Sequence, residues 1–157
     1  MKWVYADNAA QAWRMLAEKT VTVTKGWSEA YSMFLKGEAD MVLSYTTSPA
    51  YHIIAEQNDQ YAAASFSEGH YAQVEVAAKV KSSHNPKLAE QFLNFIVSEE
   101  FQSAIPTGNW MYPVTDVVLP DGFSQLTVPA ASFSFPAKDI AEHGKAWVRE
   151  WRNALID

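Results

Sequence analysis

Apolar and polar positions change period several times along the chain, and each change predicts an element. After Asn8 as a cap, Ala10, Trp13, Leu16 and Ala17 fall on one face of a helix over about 9–18. Thr20 to Thr24 alternate and are β-branched, which predicts a strand. Lys25-Gly26 is a turn. Ser28 then caps a predicted helix over about 29–36 that buries Ala30, Met33 and Phe34 and stops at Gly37. Asp40 to Tyr45 is short and mostly apolar, a buried strand. Ser48-Pro49 sets a cap before a proline in the first helical position, and that helix runs to about Glu56.

Residues 57–70 are polar and turn-rich. Tyr71 to Val80 alternates again, with Val74, Val76 and Ala78 on one face. Asn85-Pro86 repeats the cap-plus-proline signal and opens a helix over 86–97 with Leu88, Phe92, Leu93, Ile96 and Val97 on one face and Phe95 at its edge. Ser98-Glu99-Glu100 starts a short helix to about Ala104. Pro106 to Pro113 reads as an irregular aromatic loop, and 114–136 as extended or looped chain. A last helix, about 137–155, carries Ile140, Gly144, Trp147, Val148, Trp151 and Leu155 on one stripe. Helices alternating with short apolar strands over 9–56 form a βαβ pattern and predict a parallel sheet. The pattern is already under way where the chain begins, which suggests part of a larger protein.

At 157 residues and 48% hydrophobic, the chain has the length of one ordinary domain and enough apolar residues to oppose disorder. Lys plus Arg is 12 against 18 Asp plus Glu, a net charge of −6. That balance argues against a nucleic-acid partner, which needs a basic face, and suits a cationic one. No apolar run approaches the roughly 18 residues that span a bilayer, so no membrane insertion is expected. The first residues, Met1 to Asp7, hold no apolar signal-peptide core, and cysteine is absent, so composition leaves the compartment open.

Aromatic residues reach 13%, and their placement sorts them. Trp3, Trp13, Trp147 and Trp151 sit at helical spacing beside other apolar residues and read as packing. Trp27 and Trp110 each follow a glycine within two residues, in a turn, without periodic apolar partners; either ligand contact or local packing fits them. Tyr45 closes a strand, where a ring meets the crevice of an open α/β sheet. Tyr51 lies in a first helical turn, where a tyrosine is more often structural, and Tyr112 suits packing on Trp110. Ser44, Thr46, Thr47 and Ser48 cluster at a helix start, read either as an anion seat or as plain capping by Ser48. The four histidines form no spaced ligand motif, so no metal is expected, and His70 beside Glu68 reads as a solvated turn. No nucleophile motif, phosphate-binding glycine loop or acid–base pair emerges, so no catalytic residue is assigned.

Four runs carry a resemblance: Lys25-Gly26-Trp27-Ser28-Glu29-Ala30-Tyr31; Leu43 through His52; Phe66-Ser67-Glu68-Gly69-His70-Tyr71; and Ile105 through Pro113. They resemble the thiamine-binding periplasmic proteins of bacterial ABC importers, essentially end to end but over the C-terminal half of that family's chain only. The resemblance implies an α/β fold, periplasmic binding protein type II-like. This chain would comprise most of the second lobe plus a segment crossing into the first. Residues 1–75 are expected in the second lobe, 76–107 in the crossover, and 108–157 back in the second lobe. The implied function is not enzymatic: capture of thiamine or its phosphates between two lobes and delivery to a membrane permease driven by an ATPase, in the periplasm, with no cofactor. Carried over by position, Tyr51 and Trp110 correspond to rings flanking the ligand, and Trp27 and Tyr45 to further cleft contacts. Ser48, Thr46 and Tyr112 stand as secondary or anion contacts.

Alternatives of the same fold are a binder of a polyamine or of ferric iron, though an adjacent Tyr-Tyr pair is lacking and the cleft elements are ring-rich rather than acidic. A thiamine-related enzyme of this fold would use a cysteine, and there is none. A truncated product of a split reading frame is the remaining reading.

Overall fold

Helices carry almost all the regular structure in the computed structural model, which describes residues 1–156. In order they are α1 (Lys2–Tyr5), α2 (Ala9–Ala17), α3 (Trp27–Leu35), α4 (Pro49–Ala55), α5 (Pro86–Phe95), α6 (Glu99–Gly108) and α7 (Ala137–Ile156). Short 3-10 turns occupy Ala6–Asn8 and Asp121–Gln125, and two-residue strands occupy β1 (His70–Tyr71) and β2 (Ser132–Phe133). The chain divides into two units, one made of Met1–Ser44 with the chain from Ser132 on, the other of Tyr45–Ala131.

In the first unit, α2 packs along α7. Small residues on each helix, Ala9 and Ala154, are buried, and short side chains let two helices approach closely. The Lys2 ammonium meets the Glu150 carboxylate at 2.6 Å. Trp3 stacks on Phe133 at 4.7 Å, and Phe135 packs on Trp147 at 4.7 Å. The stripe expected on α7 is narrower than its periodicity suggested: Gly144, Trp147, Trp151 and Leu155 are partly buried, while Ile140 and Val148 stay exposed. Helix α3 starts at Trp27, two residues before the expected start, so Ser28 lies inside it and Gly26 is the cap. Glu29 accounts for the shift, because its carboxylate accepts the Lys25 N–H at 3.1 Å and closes the first turn from within.

In the second unit, Ala50, Phe123 and Leu126 form a small core, with Ile53, Ile54 and Trp110 packed against it. Gly122 is required there, since a Cβ would lie 2.5 Å from Cγ1 of Ile54. Gly69 is required too, with a φ of +91° and its Cβ position 2.5 Å from the Ala131 carbonyl oxygen.

Helix α6 begins as expected, with the Ser98 hydroxyl accepting the Phe101 N–H. It then runs four residues past the expected end at Ala104, through Pro106 to Gly108. A proline inside a helix removes one hydrogen bond, but Pro106 is fully buried, and burial offsets that loss. The Glu100 carboxyl sits below the ordinary carboxylate range because its own backbone N–H and the Ser98 hydroxyl donate to the anion. A lowered folded value means that this contribution is present above the ordinary range and is lost as pH falls through the lowered value. Acid titration followed by carbon chemical shifts of residues 99–102 should show a midpoint below that of a free glutamate, and Glu100→Gln should remove it.

The expected strands over 20–24, 40–45 and most of 71–80 do not form, and neither does the parallel sheet, among the described residues. A strand exists only through ladder bonds to a neighbour, and among the described residues no strand pairs with these segments. Every side chain from Tyr71 to Val80 is exposed, with Val76 at 88%. On the alternating face, Val74 is 71% exposed as well.

Candidate functional site

Tyr51 and Trp110 meet edge to face, ring centroids 5.3 Å apart at 79°. Pro49 at the first position of α4 sets the helix start that carries Tyr51. Trp110 follows α6 after Asn109 and takes a φ of +55°, a left-handed conformation rare for a bulky residue and costing about 1–3 kcal/mol. Tyr51 remains 40% exposed, so the corner the rings make is open to solvent. Behind it, His52 is 1% exposed. Its Nδ1 lies 2.6 Å from the Glu56 carboxylate, and its ring centroid is 4.2 Å from that of Tyr61.

Several contacts hold the Trp110 segment. The indole rests on the Ala50–Phe123–Leu126 core. Buried Thr47 donates its hydroxyl to the Met111 sulfur at 3.5 Å. Gln102 is 7% exposed, donates Nε2 to the Ile96 carbonyl at 2.6 Å and accepts the Val114 N–H at 2.8 Å.

The other expected residues fall as follows. Tyr45 shares the unit of Tyr51 and Trp110; its hydroxyl accepts from Gln73 Nε2 at 3.3 Å. Ser48 makes no capping bond to α4 and instead accepts the Tyr45 N–H at 3.2 Å. Its backbone is already helical, with φ −56°, whereas a capping side chain requires an extended residue. Thr46 is partly buried beside this turn. Tyr112 packs edge-on against Phe123 at 5.5 Å rather than on Trp110, because Phe123 supplies the ring face at the core. Trp27 belongs to the other unit, where it stacks on Tyr31 at 4.7 Å and donates Nε1 to the Ser44 hydroxyl at 2.9 Å.

Two shallow concavities, of about 520 Å³ between His84 and Gln91 and about 260 Å³ between Tyr5 and Met15, are not lined by these rings. No group of three or more His, Asp or Glu among the described residues could hold a metal ion, and no helix among them is long and apolar enough to cross a membrane. Two features escaped the sequence reading, the left-handed Trp110 and the buried Gln102. The second had a signal: Gln102 lies one helical turn before Pro106, on the face both bury.

The bacterial extracellular solute-binding protein family matches residues 1–103. The chain is 64% identical over 155 residues to a thiamine-binding periplasmic protein of Salmonella typhimurium and 63% identical over 155 residues to one of Escherichia coli, in each case over 99% of this chain and 47% of the relative. A Haemophilus influenzae protein of the same description is 44% identical over 157 residues. A solved periplasmic thiamin binding protein superposes with a TM-score of 0.96 at 62% identity, over 98% of this chain and 48% of that one. The chain thus spans about half the length of the relatives it matches.

Proposed function

Because the chain belongs to the bacterial extracellular solute-binding protein family, and has the type II periplasmic binding fold over the part it spans, we propose that it supplies one wall of a thiamine-binding cleft in a periplasmic importer component. The observation that carries this reading is the Tyr51–Trp110 pair, centroids 5.3 Å apart, with Tyr51 exposed and Trp110 partly so. Thiamine joins a neutral pyrimidine to a cationic thiazolium. A ring face attracts such a cation by about 0.5–2 kcal/mol, and the chain's net charge of −6 favours its approach. Trp27 and Tyr45 are further cleft contacts in this reading, and the turn at Thr46 and Ser48, with Tyr112, is secondary. Residues 1–75 and 108–157 belong to the second lobe. Residues 76–107 cross into the first, which gives the exposed alternation leading into Val80 a sheet to join. The role is capture and delivery to a permease and its ATPase, without catalysis.

Titration calorimetry with thiamine on wild type, Tyr51→Ala and Tyr51→Phe tests this. Tyr51→Ala should bind about tenfold more weakly, while Tyr51→Phe, which keeps a ring face, should stay within about threefold. Equal affinity in Tyr51→Ala would remove Tyr51 from the site.

A further inference from the structure

Helix α6 ends on Gly108-Asn109, the two residue types that most readily adopt a left-handed backbone. Neither takes it. Gly108 is still helical, Asn109 has a φ of −128°, and the positive φ falls on Trp110. Stopping the helix does not require that placement. With that placement the indole lies against Tyr51, and a strained backbone persists only where its surroundings hold it. Upstream, Asn109 N–H donates to the Ile105 carbonyl at 2.9 Å. Downstream, Val114 N–H donates to Gln102 Oε1. Residue 110 is bracketed between these two bonds, and both lead into α6.

Gln102 has both ends of its amide engaged. Nε2 needs an acceptor and finds the Ile96 carbonyl; Oε1 needs a donor and finds Val114 N–H. A flipped amide would face a donor with a donor and an acceptor with an acceptor, so the surroundings allow one orientation. With only 7% of the residue exposed, water does not compete for either bond.

We infer that Gln102 is a positioning residue for the ligand site: it clamps the 109–114 segment and holds Trp110 in its left-handed backbone, presenting the indole beside Tyr51. This deepens the thiamine-binding reading and rests on it.

The test uses the full chain labelled with fluorotryptophan, the Trp110 line being assigned from Trp110→Phe, with thiamine at millimolar concentration as the probe. Gln102→Leu should shift or broaden the Trp110 fluorine line in the free protein and weaken thiamine binding about tenfold. Val114→Pro removes the N–H that Gln102 accepts while leaving Gln102 itself in place, at an exposed position, and should reproduce both effects if Gln102→Leu does not fold. In a Trp110→Ala background, Gln102→Leu should cost no further affinity, since the two act as one unit. An unmoved Trp110 line, an unchanged affinity, or additive losses in the double variant would each overturn the clamp while wild-type binding upholds the function. A wild type that does not bind thiamine would overturn the function, and the clamp's role in it as well.

Discussion

Titrated side by side in a calorimeter, this 157-residue chain should bind thiamine about a thousandfold more weakly than a full-length relative such as the Escherichia coli protein. The chain covers 47% of that relative, and its ring pair lies on an open face. A ring exposed to water attracts a cation near the lower end of the 0.5–2 kcal/mol range, and desolvation between two walls moves it toward the upper end. Loss of enclosure and of the facing wall's contacts together come to about 4 kcal/mol, which is the thousandfold. Apolar side chains point the same way. Leu43, Val74, Val76 and Val118 are each more than two-thirds exposed, and covering apolar surface with a partner wall is favourable. Equal affinity for the chain and the full-length relative would mean that one half holds the whole site.

Trp110→Ala should have the next largest effect, and on two quantities at once. Its indole packs on the Ala50–Phe123–Leu126 core while remaining partly exposed. A fully buried tryptophan costs about 3–5 kcal/mol on truncation, so a half-buried one should cost about 2 kcal/mol in urea unfolding. The left-handed backbone is no easier for alanine than for tryptophan, so the substitution relieves no strain. Binding should fall about thirtyfold, because the ring flanking the ligand is gone and Tyr51 loses the edge contact that orients it. Unfolding without ligand separates the two losses.

Helices were legible in the sequence where a local signal names their ends. The apolar spacing predicts a helix over about 9–18 and α2 runs Ala9–Ala17, although Asn8 makes no capping bond, and Pro49 and Pro86 fall at the first residues of α4 and α5 as expected. Strands were not legible as strands, because alternation records only that a face is to be covered. Thr20 to Thr24 and residues 72–80 have the pattern and lack the neighbour among the described residues. Trp110 stood out because it follows Gly108 and has no periodic partners, but its positive φ lies in a segment tied by Val114 to Gln102, by Met111 to Thr47 and by its own indole to the core, contacts that reach up to 64 positions along the chain. Ser48 looked like a cap by type and spacing; the Tyr45 N–H claims its hydroxyl instead. In that case one donor three residues back outcompeted the helix, which spacing alone does not reveal.

In the proposed function Trp110 belongs to the face that meets thiamine. Tryptophan fluorescence during a thiamine titration, run on wild type and Trp110→Ala with circular dichroism confirming that both are folded, tests it most directly. Quenching in wild type that is mostly lost in Trp110→Ala is the predicted result. Quenching of the same amplitude and midpoint in both proteins would contradict it.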